Sequence, residues 1–329
     1  MPIIAAPVVT PEVPETPPPV DIPEIGYASI TYVDPTGRRW PMTDLSADWY
    51  TLANGVSGLG AAPYELTADP HPRGGSRLRH VQPQARTIVW PVLVRGADHL
   101  KFTANWRELA RAFTRTLREG PGWLEVARPD GSGRRIAVYY RDGWDGRGQT
   151  ATGITWDSAV VTLWCEDPYW LDLQPVLVHR ETGEGVDYLA PYPSVSSSQV
   201  LGATTVTNPG DVDVWPEWHI TGPATSIAFS ATKRVRGGDG VVRTVIEEFT
   251  LDMEATTHGP LLAGQTVTIS TDPPRARSGT GENLVAGLNW PEAVLWSLPP
   301  GETPVVFQLA GAEAGSAVDL TYYPRYETA

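Results

Sequence analysis

Cysteine is nearly absent from the 329-residue sequence: Cys165 stands alone, so no internal disulfide can staple the chain. Packing must carry the fold, as suits a reducing cytoplasm, and thiol chemistry is not indicated. Long apolar runs are also missing, and none approaches the roughly 20 residues that a membrane-spanning helix requires. The opening Met1-Pro2-Ile3-Ile4-Ala5-Ala6 lacks the basic start of a secretory signal and is soon broken by proline, so no export signal is expected. Basic residues are few, 25 against 38 acidic ones, and the net charge of −13 argues against sequence-specific nucleic-acid binding, which needs a basic face.

Motifs for chemistry are lacking too. His71, His80, His99, His179, His219 and His258 never fall at metal-ligand spacing, so no zinc site is expected. Asp142, Asp145, Asp211 and Asp213 lie near glycines but lack the calcium-loop spacing with its closing glutamate. In Gly55-Val56-Ser57-Gly58-Leu59-Gly60, Leu59 stands where a nucleophile elbow needs glycine, and no Gly-Lys-Ser/Thr follows. Glu217, between Trp215 and Trp218, could sit on a sugar-binding surface, but a solvent-side residue on a strand whose tryptophans face a core fits better. No catalytic residue, cofactor or metal site is therefore expected, and the chain reads as a non-enzyme.

What is present points to β-structure. Glycine and proline number 32 each, which favours strands joined by many turns. The 13 tryptophans suit large β-cores, with sugar platforms and subunit interfaces as the other uses of that residue. Residues 1–24 hold eight prolines and four acids with no basic residue, a composition that favours extended polyproline conformation over a packed core. This segment is expected to be a flexible arm, free or docked on a neighbouring subunit.

From Gly26 the pattern changes. Tyr27–Val33 alternates like a strand, Asp34-Pro35-Thr36-Gly37 forms a turn, and Arg86–Arg95 is an apolar strand in which Pro91 demands a sheet edge or a bulge. Between Asp98 and Glu119, Leu100, Phe102, Trp106, Leu109, Ala110, Phe113 and Leu117 recur at helical spacing, and Gly120-Pro121 ends the pattern. Arg107, Arg111, Arg115 and Arg118 lie largely off that stripe. They are candidate subunit-interface residues, because the segment from His71 to Gly120 holds ten basic and three acidic residues, a local charge of about +7 within an acidic chain. A solvated helix face is the alternative. Trp123–Ala127 and Arg134–Arg141 make a hairpin across Arg128–Gly133, and Ser158–Cys165 is the next strand.

Residues 176–195 are expected to link two domains, 25–175 and 196–329. The second should contain short strands at Ala203–Thr207, Trp218–Ile220, Thr225–Thr232, Val241–Met253, Thr266–Ser270, Ala293–Trp296, Pro304–Leu309 and Ala317–Tyr323, with a hairpin tip at Arg236–Gly240. The polar stretch Asp272–Asn283 reads as a hairpin or loop in which Arg275, Arg277, Glu282 and Asn283 are candidate partner contacts. The expected fold class is thus mainly β with one amphipathic helix, a β-rich N-terminal domain followed by a β-sandwich.

Several motifs occur in an order that resembles the distal tail protein family of long-tailed bacteriophages. They are the strand Arg86–Val94, the helix after Asp98, Gly122-Trp123-Leu124-Glu125-Val126 with Pro129-Asp130-Gly131, and Glu166-Asp167-Pro168-Tyr169-Trp170. Asn208-Pro209-Gly210-Asp211, Trp215-Pro216, Ile220–Pro223, Leu262–Gln265, Leu298–Gly301 and Tyr322–Tyr326 continue the series. The resemblance implies a homo-hexameric ring whose N-terminal domains form a belt while galectin-like C-terminal sandwiches project outward. It also implies partners: the tail tube protein, the tape-measure protein, a tail hub or tail-associated protein, and a receptor-binding protein. Assembly in the host cytoplasm into the virion tail tip would follow. A proline-rich arm of this length departs from the family pattern. The competing expectation is a carbohydrate-binding surface module that aids host adsorption.

Overall fold

The computed structural model describes residues 28–52, 54–146, 153–182, 198–236 and 241–329. The expected arm, residues 183–195 of the expected linker and residues 237–240 of the expected hairpin tip lie outside them.

In the first half the elements are β1 (Ser29–Val33), β2 (Arg39–Pro41), β3 (Trp49–Thr51), β4 (Tyr64–Pro70), β5 (Ser76–Pro83), β6 (Arg86–Arg95), α1 (His99–Thr114), α2 (Thr116–Glu119), β7 (Gly122–Ala127), β8 (Gly133–Asp142), β9 (Trp156–Cys165) and β10 (Trp170–Asp172). Seven strands form one path, β2-β1-β7-β8-β9-β6-β3. Strand β8 bends at an irregularity between Tyr140 and Asp142, so its first part pairs with β7 and its end with β9. The helix covers this curved sheet. Phe102, Leu109, Ala112 and Phe113 pack into the same core as Tyr32, Trp40, Ile88, Trp90 and Leu163. Tyr32 stacks on Phe113 at 4.5 Å and donates its hydroxyl to the Ala112 carbonyl at 2.9 Å.

The helix forms where its periodicity placed it. Asp98 caps it, accepting from the Lys101 amide at 2.7 Å, and Gly120 at φ 106° ends it in a conformation other residues resist. Two expected core positions are corrected, however: Leu100 and Leu117 are exposed, and the buried face includes Asn105 instead. Asn105 spans two elements by donating to Asp48 and to the Arg95 carbonyl, each at 2.9 Å.

Pro91 shows how a sheet tolerates a missing donor. β6 lies between β9 and β3, yet β3 ends at Thr51, paired with Val92. Beyond it the Pro91 carbonyl accepts from Leu52, and Val89 exchanges both bonds with Ser57. The proline nitrogen therefore faces the gap between Leu52 and Ser57, where no ladder bond is lost.

The second half contains β11 (Val176–Glu181), β12 (Ser198–Asn208), β13 (Glu217–Thr221), β14 (Ser226–Arg236), β15 (Val242–Asp252), β16 (Thr266–Thr271), β17 (Pro274–Ser278), β18 (Gly301–Ala310), β19 (Ala317–Tyr322) and β20 (Arg325–Tyr326). All but β20 build two facing sheets, β11-β19-β13-β16-β17 and β12-β18-β14-β15. Alternate residues fill one core, in which Trp218 meets Phe249 at 5.0 Å and Trp296 at 4.9 Å, while Phe229 meets Phe307 at 5.1 Å. Each such ring contributes about 1.5–3 kcal/mol by leaving water. The protein is mainly β with one helical segment, and no helix among the described residues is long and apolar enough to cross a membrane.

Two local expectations change and a third is narrowed. Residues 176–181, placed in the linker, form β11 and pair along β19. Ala293–Trp296 is not a strand, although Trp296 is buried and donates to the Phe229 carbonyl at 3.3 Å. Of the hairpin and the loop expected at Asp272–Asn283, the structure has the hairpin: residues 274–278 form the sheet-edge strand β17, antiparallel to β16. The final strand, β20, leaves the sandwich and pairs with β10 of the first half.

Candidate functional site

The junction made by that return explains why two separated motifs occur together. Arg325 reaches both carboxylate oxygens of Asp167 at 2.7 Å and lies over Tyr169 and Trp215 at 4.6 and 4.9 Å. Trp170 pairs with Tyr326 across β10 and β20. The acid-Asp-Pro-aromatic sequence and the tyrosine-rich C-terminal sequence are therefore spatial partners.

Arg86 is the buried keystone of this junction. Its Nε donates to the Pro168 carbonyl at 2.7 Å, Nη2 to the Glu327 carbonyl at 2.7 Å, and Nη1 to the carbonyls of Gly58 and Gly60. Burial lowers its pKa, while Cys165, Glu327 and Asp167 favour its charged form. The glycine-rich loop is thus a cradle for a guanidinium. Gly58, at φ 89°, presses so closely on β6 that a Cβ would collide with the Thr87 carbonyl.

Glu327 joins the same network. It accepts from the Ala62 amide at 2.9 Å and from the Tyr64 hydroxyl, which stands 3.1 Å from that of Tyr169. Burial, reinforced by these partners, raises the Tyr64 pKa. Farther along, Arg134 stacks over Tyr326 at 3.8 Å and donates to the Thr328 carbonyl at 2.6 Å. Beside the junction opens a cleft of about 550 Å³ whose walls include Glu166, Asp213, Trp215 and Asp272. Trp215 is exposed, whereas Trp218 faces the core, which corrects the expectation that both tryptophans point inward.

Other surfaces have little partner contact. β4 and β5 form a two-stranded ribbon of their own, exposed on nearly every residue, including Tyr64, Leu66, Leu78 and Val81. Arg77 lies on it without an ion pair among the described residues, while Arg79 pairs with Asp69. On the helix, Arg107, Arg111 and Arg118 are exposed and likewise unpaired among the described residues. Arg115 differs from them, being half-buried and 3.7 Å from Asp34 and 3.9 Å from Glu119. Burial pulls the Asp34 carboxyl upward, but hydrogen bonds from Thr36, Trp40 and Arg38 outweigh it and lower the pKa.

Arg275 and Arg277 project from the outward face of β17, while Ala276 and Ser278 turn inward. Glu282 accepts from Thr257 at 2.5 Å, and Asn283 accepts from the Val285 amide at 3.1 Å. The structure does not bring these four residues together with the helix arginines as one network. Asp211 accepts from the Glu327 amide at 3.0 Å and Asp213 from Ser297 at 2.9 Å, so both serve the junction and its surroundings. Among the described residues no group of three or more His, Cys, Asp or Glu could hold a metal ion. Burial pushes the Cys165 thiol pKa up to about 12.

The sequence matches no family model, and no curated protein matches it. Solved structures do. The Dit protein of SPP1, described as a paradigm of the hub adsorption apparatus in Gram-positive infecting phages, superposes with a TM-score of 0.59 at 13% identity, covering 91% of this chain and 99% of that one. The chain has the fold of a phage Dit protein. A second likeness is to a chain of the phage p2 baseplate in its activated conformation with Sr, with a TM-score of 0.50 and 11% identity over 90% of this chain and 98% of that one. At that coverage the likeness takes in most of both halves.

Proposed function

We propose that the chain is a structural subunit of a long-tailed phage tail tip, without a catalytic role. In this reading, copies close into a ring, six in the family that the motifs resemble, linking the tail tube and the tape-measure end to the hub and host-recognition proteins. Residues 25–175 form the belt and residues 196–329 a galectin-like sandwich outside it. The observation that carries the reading is the fold likeness over nearly the full length of both compared chains. The ribbon β4–β5 and the helix arginines supply surfaces for copies or neighbouring tail proteins to cover.

Mass measurement across a concentration series tests ring closure, first on the chain alone and then with a tube or hub protein. A discrete six-copy species supports it. A chain that stays single in both settings contradicts it.

One observation favours a carbohydrate-binding role: the exposed Trp215 and the carboxylates of Glu166, Asp213 and Asp272 share one cleft. Stacking on an aromatic ring while hydroxyls donate to carboxylates is a workable way to hold a sugar. Loss of glycan binding on Trp215→Ala would support that role, and absence of binding in the unaltered chain would remove it.

A further inference from the structure

Along the solvent side of the helix, Leu100, Ala104, Arg107, Arg111 and Arg118 follow one another at three-, four- and seven-residue steps, and all are exposed. They form one ridge. Its three arginines repel one another: like charges four apart, as at Arg107 and Arg111, weaken an isolated helix. The helix dipole favours Arg118 near the C-terminal end, but Arg107 sits mid-helix, beyond the dipole's reach. Glu108, the acidic neighbour of Arg107, is committed to Arg38.

The sequence contains a segment of complementary pattern. In residues 1–24 the acids are Glu12, Glu15, Asp21 and Glu24, separated by three, six and three residues. A polyproline helix turns once every three residues, so in that conformation all four carboxylates would fall on one edge. Glu12 and Glu15, like Asp21 and Glu24, would then be about 9 Å apart at roughly 3.1 Å per residue. Arg111 and Arg118 are about 10 Å apart along a helix rising 1.5 Å per residue. Val8, Val13, Val20 and Ile22 would fall on its other edges, and Leu100 offers an apolar contact at the head of the ridge.

We propose that the proline-rich N-terminal segment of one copy docks along this arginine ridge on a second copy. The inference rests on the reading of the chain as a subunit of a multi-copy assembly. It favours a second copy because of where the segment is rooted. β1 begins opposite Ala127 and runs under the buried face of the helix, where Tyr32 meets Ala112 and Phe113. The segment is therefore rooted on the sheet side of the helix, across from the exposed ridge. Its 27 residues could extend roughly 84 Å in polyproline form, enough to reach a neighbour. Prolines pre-order such a strap, so binding costs little further chain entropy.

Two measurements test it. The first titrates a fluorescein-labelled peptide of residues 8–27 into the full-length chain carrying Glu12→Lys, Glu15→Lys, Asp21→Lys and Glu24→Lys, whose own segment cannot compete. Saturable binding is expected, weakening about tenfold or more when Arg107→Glu, Arg111→Glu and Arg118→Glu are added, and weakening with salt. Equal binding to both chains, or none, would overturn the proposal.

The second compares assembled mass. Each reversal alone should lower the assembled fraction, and the two combined in one chain should restore it. An assembling chain whose mass ignores the segment reversal would overturn docking between copies while leaving the ring reading intact. Arginine-dependent peptide binding by a chain that remains single in solution would instead support the contact and count only against ring closure by the chain alone.

Discussion

Arg86 and Arg107 are the same residue type in the same basic segment, yet one is sunk in the junction with four carbonyl acceptors and the other stands in solvent with no ion pair among the described residues. The contrast extends to Arg325, which is locked on Asp167, and to Arg111 and Arg118, which share the ridge with Arg107. A charge count assigns these residues equal weight. Their surroundings divide them into arginines that hold the chain to itself and arginines available to something else.

The contrast breaks most visibly at Arg86. Arg86→Met should cost about 3–5 kcal/mol, because four carbonyls from distant parts of the chain lose their donors in a water-poor site. Urea unfolding measures this, and a loss below about 1 kcal/mol would mean that the junction is held by other contacts. Arg325→Ala comes next, at about 1–2 kcal/mol, since its bidentate pair is partly open to water. Faster proteolytic clipping of the last six residues should accompany it.

The ridge supplies the opposite arm of the comparison. Arg107→Glu, Arg111→Glu and Arg118→Glu together should leave the urea midpoint of the isolated chain within measurement scatter, because no partner within the described structure is lost. A large drop would place the ridge with the structural arginines. Cys165 offers a control on the integrity of the first core, since a buried thiol with its pKa pushed up should resist thiol reagents until the chain unfolds. Faster labelling in Arg86→Met would show the junction loosening that core.

The smallest expected effect is a pH dependence at β11. The hydrogen bond from Asp319 raises the His179 pKa, burial opposes it, and the nearby charges of Asp319 and Glu181 add to the rise. A raised folded-state pKa gives stability that is fully present below the unfolded value of about 6.5 and is lost as pH rises through the folded one. With His179 about half exposed to solvent the effect is about 0.3 kcal/mol, and His179→Gln should flatten it. Urea midpoints at pH 5.5 and 8.5 measure the difference.

Elements with a buried face were legible in the sequence. The helix and β6 through β9 carry the periodicity of a face turned to a core, and Gly120-Pro121 and Pro129-Asp130-Gly131 punctuate them. The ribbon β4–β5 was not legible, because both of its faces are exposed and its residues show no alternation. β17 could be read only as hairpin or loop, because Pro273-Pro274 interrupts any strand pattern, and β11 lay in a stretch read as a linker. Ala293–Trp296 erred the other way, since its apolar residues fill the sandwich core from a loop. The junction could be seen only in pieces. Glu166–Trp170 and Tyr322–Tyr326 stood out as motifs, but no local pattern indicates that Arg86 joins residues 58, 60, 168 and 327.

The most direct test of the central claim is to locate the chain on a particle. Gold-labelled antibody raised against the protein, applied to intact virions under the electron microscope, should mark the end of the tail remote from the capsid. Label on the capsid, or particles that carry none of this chain, would contradict the assignment.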